Sequence, residues 1–477
     1  MSDPLRIAAE SHPDRMAVID VQRDTTISYA DLDSRVDHTV RQLQRDGVRP
    51  GERIGLLSHR TVETVVQIHA IARYGATVVP VDPELQEERI HSRLNRCHVS
   101  RIIDEASPRG NRIVPVDAPG TRQTRSSRVE QETNRPLCML FTSGTTGQAA
   151  PIPVLPSNFD ASAAASAERL GTTGDDRWIS PMSLAQMGGI APIYRAVRYG
   201  TGVMLSPFDS TTITKAIRQY TATGMSLVPT MLRKLLQHDV PLDALRVVLV
   251  GGDTTDPELV RDAIDANIPL YVTYGMTEAT SQIATATPAE IAEFPETVGK
   301  PLHGTLIQID SPDQQGAGEI LVSGDTVVPN TYQEITVDRV SEHGVLQTGD
   351  LGYLDEQGRL YVTGRLDERI VTGGATVDPQ QVEQQLRQIE GIDDAVVVGV
   401  ADDIWGEKIA AILQVKKGET VDEQRLREAI DERFASSEKP RQYLLTATLP
   451  RTPAGTVDRK ESRTMFEDAQ QTEIREV

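Results

Sequence analysis

Three short apolar runs, each closed by glycine, constrain this chain more than any other feature. Leu137 to Phe141 leads into Thr142-Ser143-Gly144-Thr145-Thr146-Gly147, Val247 to Val250 ends in Gly251-Gly252-Asp253, and Tyr271 to Tyr274 ends in Gly275-Met276. Uncharged runs of this length, with helical segments between them, read as buried strands of an α/β sheet. Glycine at a strand end lets backbone N–H groups turn toward a ligand, so a site is expected at those ends. The first hundred residues fit the same class. Ile54–Leu57 and Thr77–Pro80 read as strands, with a helix over Thr61–Tyr74 between them. Residues 107 to 136 are polar and read as a long loop around one short strand, Arg112–Val116.

After about residue 300 the pattern changes to short strands and turns: Gly318–Gly324, Gly344–Asp350 and Gly358–Val362. Gly364-Arg365-Leu366-Asp367 reads as a connector. Beyond it, a small α+β unit is expected, with helices over Pro379–Ile389 and Val421–Phe434 and strands over Asp394–Val400 and Ile409–Val415. The 477 residues correspond to about three domain-sized units. The expected architecture is a large multi-subdomain N-terminal part, with layered sheets, helices and a β-rich subdomain, followed by a small α+β part.

Charge narrows the function classes. Sixty-nine acidic against 49 basic residues give a net charge of −20. A surface this acidic disfavours duplex nucleic acid and anionic membranes. Of the 49 basic residues only eight are lysine. Acidity with scarce lysine resembles proteins of salt-loving organisms. The two cysteines, Cys97 and Cys138, make no disulfide framework, and the N-terminus carries no basic-then-apolar signal. A cytoplasmic protein is expected, with a homo-oligomer left open.

The loop Thr142–Gly147 supplies hydroxyls and backbone donors suited to phosphate oxygens, but no Gly-Lys-Ser/Thr follows, so it is not a Walker loop. Tyr274-Gly-Met-Thr-Glu278, Thr348-Gly-Asp350 and Gly364-Arg365-Leu-Asp367 come after it in order. So do Val371-Thr-Gly-Gly-Ala-Thr-Val-Asp-Pro379, Asp402-Asp-Ile-Trp-Gly-Glu407 and Leu449-Pro-Arg-Thr-Pro-Ala-Gly455. With these motifs the chain resembles the adenylate-forming superfamily of acyl- and aryl-CoA synthetases, luciferases and peptide-synthetase adenylation domains. The resemblance implies an acid–thiol ligase that makes an acyl-AMP from ATP and passes the acyl group to CoA. It implies an AMP-binding domain over 1–366 and a mobile C-terminal domain over 367–477.

Residue by residue, the resemblance assigns pyrophosphate contacts to Thr142, Ser143, Gly144, Thr145, Thr146 and Gly147. It gives a phosphate contact to Thr277 and the Mg²⁺ ligand to Glu278, a hard oxygen donor. Tyr274 would stack on adenine, beside Gly251, Gly252, Asp253, Gly275 and Met276. Asp350 would accept from the ribose hydroxyls, with Arg365 adding to that contact. Asp367 falls at the hinge, and Gly373 and Gly374 would line the thiol's path.

Two lysines of the family pattern are absent. The phosphate loop carries Ala150 where the pattern has lysine, and the terminal motif carries Thr456. Lys460, and after it Lys439, are candidate substitutes. Ser180-Pro-Met182 and Met187-Gly-Gly-Ile-Ala-Pro-Ile-Tyr-Arg195 resemble the acyl-site motif of o-succinylbenzoate–CoA ligases of menaquinone synthesis. That likeness makes Arg195 the partner of a second substrate carboxylate, with Gln186 and Gly188 beside it; bidentate guanidinium geometry suits that task. Gln186 stands where that subfamily usually has histidine. A ligase for another aryl or acyl acid, and a catalytically weak ATP-binding relative, are the competing readings.

Overall fold

The backbone sorts into four main sheets. The computed structural model describes residues 3–104, 112–115, 135–142, 150–313, 316–372, 375–402, 405–435, 438–451, 457–469 and 475–476. The largest sheet has nine strands, in the order Lys300–Pro301, Ser281–Ala286, Leu270–Met276, Val247–Gly251, Gly224–Leu227, Arg177–Ser180, Gly202–Leu205, Met16–Asp20, Thr25–Ser28. Its middle is parallel and its two ends antiparallel. The middle strands are accordingly short and almost wholly buried, as strands covered on both faces must be.

A six-stranded sheet holds Arg53–Leu57, Thr77–Val81 and Cys138–Phe141, which pairs in antiparallel with Pro151–Val154. The helix Val62–Tyr74 starts where Thr61 accepts from the Thr64 N–H and stops at Gly75, whose φ of 82° is left-handed. The β-rich sheet runs Thr305–Asp310, Gly318–Gly324, Val345–Leu354, Leu360–Arg365. The last sheet collects Ile370–Thr372, Ala375–Val377, Ile392–Asp402, Gly406–Val415, Gln442–Thr446 and Arg475–Glu476 over a core that includes Val382, Leu386, Leu413 and Ile430.

Two details differ from the sequence reading. The three glycine-closed strands belong to two sheets, Cys138–Phe141 to one and the other two to the nine-stranded sheet. The third strand also does not end at Tyr274. It continues to Met276 against Ser281–Ala286, with an irregularity between Tyr274 and Gly275. Gly275 permits this, because a Cβ there would stand 1.9 Å from the Ser281 carbonyl oxygen.

Candidate functional site

The turn after Met276 is short and strained. Thr277–Ala279 forms one 3₁₀ turn, and Thr280 and Ser281 then take φ of 49° and 93°. Two successive non-glycine residues in that region must be held by their surroundings. Thr280 Oγ1 donates to the Thr326 carbonyl (2.7 Å), the Thr280 carbonyl accepts from Ser162 Oγ (2.6 Å), and the Glu278 carbonyl accepts from the Val328 N–H (2.9 Å). So held, the turn buries the Glu278 side chain to 7 % exposure. Burial pushes its carboxyl above the usual carboxylate range, with Arg339 opposing. Glu278 has no ion-pair partner among the described residues.

A second cluster faces it. Asp350 and Arg365 are cross-strand partners in the β-rich sheet, and Arg365 Nη1 lies 2.7 Å from Asp350 Oδ1. Tyr274, from the large sheet, donates its hydroxyl to Asp350 Oδ2 at 2.6 Å. Thr348 Oγ1 accepts from the Asp350 N–H. Burial raises the Asp350 carboxyl, and Arg365 and the Tyr274 hydroxyl work against that rise. Each Asp350 oxygen therefore spends one lone pair inside the protein and keeps another for an incoming hydroxyl. Arg365 also reaches Asp367 (Nε–Oδ1, 3.0 Å). Arg339 donates to the Thr348 carbonyl (2.8 Å) and lies 3.9 Å from Asp367.

The third cluster sits on the helix Met187–Tyr199, which Gln186 precedes as N-cap residue. Gly188 and Arg195, two turns apart, share a face. Gly188 is closely approached: a Cβ would stand 2.7 Å from Met182 Cε. Arg195 is partly buried and donates from Nη2 to Ser162 Oγ at 3.1 Å. Its Nε is buried without a partner, and no carboxylate pairs with it among the described residues.

Ser162 thus stands between Arg195 and the Glu278 turn. Sequence reading missed it, and missed Arg339. The signal for Ser162 was present: Asn158, Ser162 and Ser166 recur every four residues in the alanine-rich helix Pro156–Leu170. Arg339 had no comparable signal.

The other candidates divide. Thr142 bonds through its N–H to the Ala150 carbonyl (3.4 Å), where the two flanking strands converge. Ser143, Gly144, Thr145, Thr146 and Gly147 lie outside the described residues, as do Gly373, Gly374 and Thr456. Gly251 packs against Thr273, Gly252 is left-handed, and Asp253 is exposed at the end of its strand. Lys460 is exposed in the first turn of the helix Arg459–Asp468, whereas Lys439 is ion-paired with Asp431. No three His, Cys, Asp or Glu side chains converge among the described residues. A divalent cation here fits one carboxylate, Glu278, plus ligand phosphate oxygens, as magnesium sites on nucleotides commonly do.

Comparison with known proteins gives the family. The AMP-binding enzyme family matches residues 5–332, and the AMP-binding enzyme C-terminal domain matches residues 381–456. The 2-succinylbenzoate–CoA ligase of Bacillus cereus is 30% identical over 470 residues, covering 96% of each chain. The o-succinylbenzoate CoA synthetase of Bacillus subtilis, solved with its acyl-adenylate intermediate, is 28% identical with a TM-score of 0.86, covering 98% of this chain and 99% of that one. The same synthetase with ATP and magnesium gives 0.84 at 28% identity, covering 98% and 100%.

Proposed function

Because the chain belongs to the AMP-binding enzyme family, we propose that it is a cytoplasmic acid–CoA ligase whose acid is 2-succinylbenzoate. In the first half-reaction a carboxylate oxygen attacks the α-phosphorus of ATP and pyrophosphate leaves. In the second the CoA thiolate attacks the acyl carbon and AMP leaves. Tyr274 flanks the adenine, and its hydroxyl keeps Asp350 oriented toward the ribose hydroxyls. Arg365 holds the other Asp350 oxygen. Glu278, with Thr277 beside it, would hold magnesium, which would supply charge neutralisation to the phosphates. Lys460 serves as the cation that Thr456 cannot be.

One observation carries the choice of acid. Arg195 keeps a guanidinium partly buried with a neutral hydroxyl as its acceptor and a bare Nε. An unpaired buried charge is costly, and a ligand carboxylate completes it. An acid with a second carboxylate matches that need, as the names of the relatives do. The test is CoA-dependent AMP formation with 2-succinylbenzoate and with benzoate. Arg195→Ala should cut use of the dicarboxylate by roughly tenfold or more beyond any loss with benzoate, the worth of a hydrogen bond to a charged group. An equal loss with both acids removes the assignment. The absent lysines at Ala150 and Thr456 favour a second reading, a catalytically weak ATP-binding relative. That relative would bind ATP and release no pyrophosphate with any acid.

A further inference from the structure

The helix Pro156–Leu170 carries one polar stripe, which is bonded to backbone carbonyls and to the Gln282 side chain. Asn158 Nδ2 donates to the Asp325 and Val327 carbonyls, at 2.8 and 3.0 Å. Ser166 Oγ donates to Gln282 Oε1 (2.6 Å), and Arg169 Nε to the Thr285 carbonyl (2.8 Å). These bonds fasten the helix to the strand Ser281–Ala286 and to the segment that follows the strand Gly318–Gly324, and none of them touches Arg195. Ser162, 2 % exposed, differs. Its hydroxyl donates to the Thr280 carbonyl and at the same time accepts from Arg195 Nη2. A hydroxyl has one proton, so donation to Thr280 fixes its lone pairs toward the guanidinium.

We propose that Ser162 is a positioning residue that links the Arg195 guanidinium to the Glu278 turn, so that the dicarboxylic acid and magnesium–ATP bind cooperatively through it. The inference rests on the reading of Arg195 given above. The physical route is a two-bond chain. Donation from a cation polarises the hydroxyl and strengthens its own bond onward to Thr280. Thr280 closes the turn that carries Glu278 and holds a left-handed backbone with φ of 49°. A carboxylate arriving on Arg195 fixes the guanidinium in the geometry that donates to Ser162, and the anchoring of the turn tightens with it. By linkage, whatever the acid does to the turn, nucleotide at the turn does to the acid.

The experiment is calorimetry of magnesium with α,β-methylene-ATP, which cannot release pyrophosphate, with and without saturating 2-succinylbenzoate. The proteins are the parent, Ser162→Ala, Ser162→Thr, Ser166→Ala and Arg195→Ala. The parent should bind the analogue at least about fivefold tighter with acid present, the lower end of ordinary coupling. Ser162→Ala should reduce that gain to less than about twofold, while Ser162→Thr, which keeps the hydroxyl, and Ser166→Ala retain it. Both alanine variants remove a buried hydroxyl from one helix face, so a merely structural role would lower both melting temperatures and separate neither coupling. The inference is overturned if Ser162→Ala keeps the parent gain, if Ser166→Ala loses it equally, or if the parent shows none. Should 2-succinylbenzoate fail to bind the parent, or Arg195→Ala bind it unchanged, the acid-site reading itself fails and the relay with it.

Discussion

Replacing Arg459 by methionine tests whether the C-terminal unit is held by one guanidinium. Arg459 reaches Glu383 through both terminal nitrogens, one at 3.0 Å, while its Nη1 donates to the Val397 carbonyl at 3.0 Å. Its Nε lies 2.8 Å from Glu368, next to the connector residue Asp367. Burial works against its charge, and Glu383 and Glu368 outweigh it and raise its pKa. Glu383 is 3 % exposed. Without Arg459 it keeps the Val397 N–H (2.8 Å) and a long contact to Arg387 (3.5 Å). Removing one partner of a buried pair costs about 3–5 kcal/mol; the contact to Arg387 and the partial exposure of Arg459 favour the lower end, about 3 kcal/mol. For a unit of roughly a hundred residues this lowers its melting temperature by about 10 °C or more. Glu383→Gln in the methionine background removes the stranded charge and should recover a third to a half of the loss, giving a coupling energy of about 1–2 kcal/mol in the double-mutant cycle. The assay is denaturant unfolding with hydrogen exchange over Ile392–Asp402, the strand that carries Val397. A loss below about 1 kcal/mol, or an additive cycle, would refute the reasoning.

Two further outcomes follow from the site. Burial holds the Glu278 carboxyl above its unfolded value. A group so raised contributes stability fully present below the unfolded value, near pH 4, and lost as pH rises through the folded value. Glu278→Gln should therefore raise the melting temperature of ligand-free protein at neutral pH, a gain that fades toward pH 4, while it removes the stabilisation by magnesium–ATP. A variant less stable at pH 7 contradicts that sign. Lys460→Ala should slow pyrophosphate release by roughly 10²–10³ and spare thioester formation from supplied acyl-adenylate, whereas Lys439→Ala, which loses only its pair with Asp431, should not. Unchanged release in Lys460→Ala removes Lys460 from the site.

Much of this architecture was legible because it is local. The helix Val62–Tyr74 announces itself by Thr61, by its apolar spacing and by Gly75. The strands Val247–Gly251 and Gly406–Val415 are apolar enough to be read without a structure. What was not legible depends on pairs far apart in sequence. Tyr274 and Asp350 meet across two sheets, and nothing local to either says that the phenol donates to the carboxylate. Arg195 and Ser162 come from neighbouring helices, and their bond depends on how those helices pack. The course of the strand through Gly275 could not be read either, because glycine looks like an end until the facing strand is known to require the absence of a side chain.

Pairing, more than burial, separates the structural charges of this chain from those that await a ligand. Arg73, 12 % exposed, is shared by Asp3, Asp33 and Asp37, and Arg246 is tied to Asp176. Arg459 has its two glutamates. These groups are complete, and their removal should be felt as stability. Arg195 is partly buried and Glu278 is buried, but neither has an opposite charge paired with it among the described residues. A fold tolerates such groups only at a cost, which an anion at the one and a cation at the other would offset. The two lie at opposite ends of one short chain of contacts, Arg195 to Ser162 to Thr280, which closes the turn bearing Glu278. Under the proposal made above, the uncompensated cation and the uncompensated anion belong to one site, which an acid and a magnesium-bearing nucleotide would complete together.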